Sequence, residues 1–292
     1  MRKSYSEASA RERVLGILDP GSFREFVPPS ERASSPHLAQ LDQPVAFDDG
    51  LIAGSGLLGG RPVLIAAQEG LFLGGAVGEV HGAKLVGLIR RAVAEKPAAV
   101  LILFDSGGVR LHEANAGLIA VSETLRAICA ARAEGVRFVG LVGGSAGCFG
   151  GTGLVARCCD AIAISEEGRL AMSGPEVIET VHGVEEFDAR DRALVWRVTG
   201  GKHRYLLGET DRICEDDITA FRAAAIALAD GSAGLTLDDV EREHARLAAR
   251  WASFSDCADG LDVWRRLGVA RPEDVPMLDT EAFTAMAEEL RT

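Results

Sequence analysis

The 292-residue sequence is poor in what several protein classes require. Its six cysteines are scattered and none stands in a C-x-x-C pair, which leaves no disulfide framework or zinc ribbon and fits a reducing compartment. No apolar run approaches the roughly 20 residues of a membrane span, and no apolar leader follows Met1–Lys3, so a cytoplasmic location is expected. Positive charge is in deficit: 31 Lys and Arg against 43 Asp and Glu give a net charge of −12. That balance excludes a protein that tracks nucleic-acid phosphates. Aromatic residues are only 5%. No H-E-x-x-H occurs, and Glu79-Val80-His81 or Cys158-Cys159 would be a poor metal-ligand set, so no metal is expected.

Glycine is plentiful at 34 residues without a collagen repeat, which marks places where backbone turns tightly or approaches a ligand. Hydrophobic residues make up 47% and charged residues 25%, the profile of an ordinary folded protein. The first 44 residues are polar and broken by prolines; they predict a short helix near Ala8–Leu18 and then an extended arm. From Val45 a pattern repeats. The runs starting at Pro62, Ala99 and Arg137 are spaced by 37 and 38 residues, and each is a short buried-strand type rich in β-branched residues. Helical stretches at Glu79–Glu95 and Glu113–Glu134 separate them; in the second, Leu118, Val121, Leu125, Ile128 and Cys129 form one apolar stripe. A third helix is expected over Gly147–Cys158, then short strands at Ala161–Ser165 and Arg169–Met172. The fold class is therefore α/β, built from strand–helix units with right-handed crossovers. Residues 45–208 form its core. Residues 209–292 carry 19 acidic and 9 basic side chains and read as a helical region with little strand signal.

Three glycine motifs compete. Gly54-Ser55-Gly56-Leu57-Leu58-Gly59 satisfies G-x-G-x-x-G, with Glu79 lying 20 residues further on. A dinucleotide fingerprint must close a strand and open a helix, whereas here Gly60-Arg61-Pro62 and a strand follow. A turn between two strands is the better reading. Gly143-Gly144-Ser145-Ala146-Gly147 satisfies the G-x-S-x-G nucleophile elbow, with Ser145 as nucleophile, Asp160 as acid and His182 or His203 as base. Too few core strands follow to carry those partners, and the upstream oxyanion loop of esterases is missing. The third reading joins two loops. Asp105-Ser106-Gly107-Gly108-Val109-Arg110 and Gly143–Cys148 each follow a core strand, so both can face one pocket. Main-chain amides from both, with a helix opening near Gly147, would make an oxyanion hole. Spacing alone leaves that reading level with a bland one in which the glycines only permit tight turns. Among the histidines, His112 stands out only because it follows the first glycine loop. The cluster Arg190, Arg192, Arg197, Lys202, His203, Arg204 is interleaved with acids and reads as a solvated helix face, a phosphate or acidic-partner site being the alternative.

Four ordered stretches then carry a resemblance. Asp49–Lys84, with its G-R-P-V strand and Q-E…G-G-x-x-G-E segment, resembles the N-terminal half of acyl-CoA carboxyltransferases. DSGGVRLHE is similar to that family's D-S-G-G-A-R-x-x-E loop, with Val109 in place of alanine. GGSAGCFGG resembles its G-P-x-A-G-G turn, with Gly144 replacing proline and Cys148 replacing glycine. Ser173–Glu179 resembles its A-G-P-x-V-I-E element. The resemblance implies a crotonase-like fold, a spiral of ββα units, followed by the helical C-terminal extension. It also implies an oxyanion hole of backbone amides at Gly107, Gly108, Gly147 and Cys148. Ser106, Arg110, Ser145 and Gly174 are implied near the substrate, although Arg110 can equally pair with Glu113 on the same turn.

No four-cysteine ribbon precedes the module, and the chain is too short to hold the second carboxyltransferase half. Asp191–Arg204 is similar to the β subunits of biotin-independent malonate decarboxylases. That similarity implies a heteromer with a γ-type subunit, an acyl-carrier-protein subunit bearing a phosphoribosyl-dephospho-CoA arm, and a carrier-protein transferase, with no cofactor bound directly and no biotin. The expected activity is loss of CO2 from a malonyl thioester through an enolate, whose proton is expected from the partner. A biotin-dependent carboxyltransferase subunit begins with the same enolate, so the motifs do not separate the two. A non-catalytic scaffold is the remaining class.

Overall fold

The computed structural model describes residues 3–291. A seven-stranded sheet organises them: β1 (Arg24–Phe26), β2 (Leu51–Leu58), β3 (Arg61–Gln68), β4 (Ala99–Phe104), β5 (Phe138–Val142), β6 (Ala161–Ser165) and β7 (Arg212–Cys214). Spatial order follows chain order. β1, β2 and β3 pair antiparallel, and β3 through β7 pair parallel. The Gly54–Gly59 motif is thus spent on β2 and its hairpin turn, where Gly59 and Gly60 have φ of +58° and +77°.

The helices are α1 (Ala10–Ile17), α2 (His37–Gln40), α3 (Glu79–Glu95), α4 (Ala116–Ala133), α5 (Gly151–Arg157), α6 (Pro175–His182), α7 (Arg192–Thr199), α8 (Gly201–Leu206), α9 (Ile218–Ala229), α10 (Leu237–Phe254), α11 (Gly260–Arg266) and α12 (Thr280–Glu288). Strand side chains alternate between faces, and the β4 run AVLILF makes the division plain. Val100, Ile102 and Phe104 pack with Leu85, Ile89, Val121, Ile128 and Val155 of α3, α4 and α5. Ala99, Leu101 and Leu103 pack instead with Val14 and Ile17 of α1 and Phe221 and Ala225 of α9. Both faces of the parallel sheet are covered, which is why its strands read as continuous apolar runs. A separate apolar cluster joins Tyr205 and Leu206 to Trp264, Val275 and Phe283.

Three element expectations are corrected. The helix expected from Gly147 starts at Gly151, because Gly147 and Gly150 take φ of +80° and +59° and the intervening chain pairs with its neighbours. The helix expected from Glu113 starts at Ala116, after a break at Ala114 (φ +49°). Arg169–Met172 contributes single bridges and no strand. The sheet also draws on both flanks: β1 comes from the proline-rich arm and β7 from the acidic region. α1 is held open at its start by a reciprocal Ser9–Glu12 capping box, and α9 by the Asp217 carboxylate accepting from Thr219 and Ala220 amides, each worth about 1 kcal/mol.

Candidate functional site: two glycine loops on one sheet edge

Register places the loops. Phe104 and Val142 are paired partners on parallel neighbours β4 and β5, so the chain leaves both strands at the same edge. There the loops join through backbone. Ser106 N–H donates to the Gly147 carbonyl at 2.7 Å, and Phe149 N–H to the Ser106 carbonyl at 3.0 Å. The segment between β3 and α3 joins on one side: Val77 N–H donates to Gly108 O at 2.8 Å, and Arg110 N–H to Val77 O at 3.0 Å. The segment after β6 joins on the other, with Cys148 N–H to Arg169 O at 2.8 Å and Gly150 N–H to Met172 O at 2.9 Å. A second, short ladder thus lies over the sheet edge.

The loops touch where they lack side chains. A Cβ on Gly150 would sit 3.3 Å from Gly108 Cα, and the two glycines have φ of +59° and +135°. Only glycine takes that backbone without strain.

The four nominated amides are nevertheless spoken for. Gly107 N–H donates to Gly74 O (2.8 Å), Gly108 N–H to Ser106 Oγ (3.1 Å), Gly147 N–H to Gly144 O (3.1 Å) and Cys148 N–H to Arg169 O (2.8 Å). Ladder and turn bonds consume them, a detail that spacing does not carry. Amides further along each loop have no acceptor among the described residues. Val109 N–H points away from the Val77 ladder, and the α5 amides of Gly151 and Thr152 have neither an intrahelical partner nor a side-chain cap. Val109 and Gly151 follow directly on the Gly108–Gly150 contact, so one unpaired donor from each loop flanks it. Sequence alone offered one usable signal for this shift, the helix expected to open near Gly147, since a helix's first turn always carries orphan donors; the helix begins at Gly151.

The remaining sequence candidates separate. Ser106 is fully buried and its hydroxyl closes the first loop on Gly108. Arg110 is buried between Asp48 and Glu113 (3.1 Å to Glu113) and lies over the Phe72 ring, so the ion-pair reading of this residue holds. Ser145 is exposed and its carbonyl accepts from Arg169. Gly174 caps α6 beside Phe149. The Cys148 thiol is buried and pushed well above its ordinary range by desolvation, which removes it as a nucleophile. No hydrolase triad forms around Ser145. Asp160 binds Arg132 and the Phe138 amide, His182 lies beside Glu186, and His203 accepts from Trp264 Nε1 at 3.1 Å. His112 is exposed. The basic cluster is divided between partners, Arg197 on Asp259, Lys202 on Glu166 and Arg204 on Glu209. Among the described residues no group of three His, Cys, Asp or Glu is placed to hold a metal ion, and no helix is long and apolar enough to cross a membrane.

An apolar rim surrounds the loops. Leu71, Leu111, Met172 and Val181 are each more than 70% exposed, and Leu73 and Val177 more than half. Met172 stands in a ladder segment, Leu71, Leu73 and Leu111 lie on the chain beside one, and Val177 and Val181 lie on α6. Exposed apolar side chains gathered in this way mark a contact surface.

Residues 4–228 match the carboxyl transferase domain model. The chain belongs to the carboxyl transferase family. Its crotonase-like members include the malonyl-S-ACP:biotin-protein carboxyltransferase MADC of Malonomonas rubra, 41% identical over 99% of this chain and 97% of that one. A subunit of the Pseudomonas malonate decarboxylase hetero-tetramer, solved in complex with malonate, superposes with a TM-score of 0.80 at 35% identity, covering 91% of this chain and 97% of that one. The methylmalonyl-CoA carboxyltransferase 12S subunit of Propionibacterium freudenreichii is 30% identical, and 74% of this chain matches 39% of it. This chain thus matches the Malonomonas and Pseudomonas proteins over nearly their whole length and the 12S subunit over 39% of its own.

Proposed function

We propose that this chain is one subunit of a heteromeric malonyl-thioester decarboxylase, and that its two glycine loops hold the thioester oxygen as an enolate. The observation that carries the reading is the pair of unpaired amides, Val109 and Gly151, beside the Gly108–Gly150 contact. In the reaction the bond between the thioester α-carbon and its carboxylate breaks. CO2 leaves, and the electron pair moves into the enolate, whose charge rests on the thioester oxygen. A proton then adds to the α-carbon to give the acetyl thioester. Donors fixed in advance where that charge develops are worth about 3–4 kcal/mol each. The amides at Gly107, Gly108, Gly147 and Cys148 act one step back, as the bonds that hold the loops in place.

The apolar rim is the surface on which a γ-type subunit would close the pocket and shed water from the departing carboxylate. The substrate arrives on an acyl-carrier-protein subunit through a phosphoribosyl-dephospho-CoA arm, loaded by a carrier-protein transferase, and the protein works in the cytoplasm. A second reading is favoured by the likeness to the Malonomonas enzyme, named for transfer to a biotin protein. In it, the carboxyl group passes to biotin and is not released. The test is an assay of the purified complex with malonyl thioester, with and without avidin. Acetyl thioester formed equally in both supports direct decarboxylation; inhibition by avidin supports transfer to biotin. No turnover with any combination of subunits would leave a scaffold.

A further inference from the structure

Arg13 lies in the middle of α1, on the N-terminal arm, far in sequence from either loop, and its side chain is buried. Each arm of its guanidinium is used. Nε donates to the Tyr5 carbonyl at 2.7 Å, Nη2 to the Ser6 carbonyl at 3.0 Å, and Nη1 to Asp105 Oδ2 at 2.7 Å. The Tyr5 ring lies 4.8 Å from it. Three of its five N–H donors are thus engaged on all three nitrogens, which fixes the plane and orientation of the fork.

Asp105 opens the first loop, and it reaches the second. Its Oδ1 accepts the Ala146 N–H at 2.7 Å, while its own N–H donates to Gln68 Oε1 at 3.1 Å. The carboxylate fits because its neighbours have no side chain. A Cβ on Gly144 would lie 2.1 Å from Asp105 Cγ, and one on Gly70 would lie 2.5 Å from Oδ2. One carboxylate oxygen therefore faces the arm and the other faces the turn from which Cys148 and Gly151 follow. Rotating the carboxylate breaks both contacts together. Burial raises the Asp105 carboxyl above the usual range, and Arg13 and the Ala146 amide oppose that rise.

We propose that Arg13 is a positioning residue for the enolate site: it fixes the Asp105 carboxylate, which holds the second glycine loop at its spacing from the first. Arg13 touches neither substrate nor reacting atoms. The N-terminal arm is thereby part of the site's framework and not a passive cover of the sheet. This inference rests on the enolate reading of the loops, and its test separates the two.

In the assembled complex, Arg13→Gln is expected to lower kcat about 10- to 100-fold with the KM for malonyl-CoA changed less than about threefold, as small misplacements of preorganised donors do. Arg13→Lys, which keeps the charge but not the fork, is expected to fall between. Millimolar guanidinium, added to Arg13→Ala, is expected to restore part of kcat. Amide exchange over residues 143–150 is expected to quicken in Arg13→Gln, while peptides from α3 stay unchanged. Arg13→Gln with wild-type kcat, or losses in kcat, KM and melting temperature that move together without guanidinium rescue, would overturn the proposal. Should the wild-type complex leave malonyl thioesters untouched, the enolate reading fails and exchange alone decides for Arg13: faster exchange in 143–150 keeps the clamp, unchanged exchange removes it. Where Arg13→Gln does not fold, Arg13→Lys carries the same measurements.

Discussion

Ser106 and Cys148 form a one-residue parallel bridge, and through it the loop after β4 and the loop after β5 become a single backbone unit. Backbone makes that union, with the Asp105 carboxylate as its side-chain tie. Its geometry depends on where glycines permit close approach, and substitutions there carry the clearest predictions.

Gly150→Ala places a methyl group 3.3 Å from Gly108 Cα on a backbone with φ +59° and ψ −135°. Strain of about 1–3 kcal/mol follows, and it falls on the loop contact. Activity of the complex is expected to drop at least about 100-fold, while the melting temperature falls by only a few degrees. Steady-state kinetics and thermal denaturation measure the two effects.

Ser145→Ala is expected to retain activity within about twofold, since truncating an exposed hydroxyl costs little. A fluorophosphonate probe is expected to leave Ser145 unlabelled. Loss of activity with labelling of Ser145 would restore the hydrolase and remove the enolate account.

Arg110 is held between two buried carboxylates, Asp48 and Glu113, and Glu113 in turn accepts the Glu79 amide at 2.6 Å. Arg110→Met strands both carboxylates and is expected to destabilise the fold by about 3–5 kcal/mol. Denaturant titration reads this directly. A raised KM with stability intact would instead make Arg110 a substrate ligand.

His81 and His203 are both pushed down to about 3, chiefly by burial. Their unfolded value is about 6.5, so between those limits the unfolded chain binds more protons than the native one. Stability is therefore expected to rise with pH across this window and to be lost as pH falls below about 6.5, by up to about 1.4 kcal/mol per pH unit for each histidine. Melting temperatures at pH 7.5 and 5.5 test the sign, and His203→Gln is expected to flatten the dependence.

Much of the scaffold was legible because burial on both sheet faces leaves a dense signal. Runs such as AVLILF have no polar residue to blur them, and both loops were found from their place after such runs. The exact donors were not legible. Whether Gly108 N–H is free depends on the orientation of the Ser106 hydroxyl, and whether Cys148 N–H is free depends on a carbonyl 21 residues away in sequence. Neither contact leaves a periodic trace. β7 escaped notice because three residues, Arg-Ile-Cys, are too few for a strand pattern. Arg13 gave no sign of burial, since a single arginine in an ordinary helical stretch is most often solvated.

The joining of the N-terminal arm to the α9 segment sets the order in which this protein matures on the ribosome. Lys3 N–H donates to Asp217 Oδ2 and the Ser4 hydroxyl to Asp216, across 214 and 212 residues, and α1 lies against α9. Synthesis therefore reaches β6 with α1 able to pack on β2 and β3 but with the rest of that sheet face uncovered until α9 is made. Contacts of such long sequence separation slow folding. A nascent chain halted at 208 keeps the part of that face over β5 and β6 exposed, and one released after 229 can close it with α9.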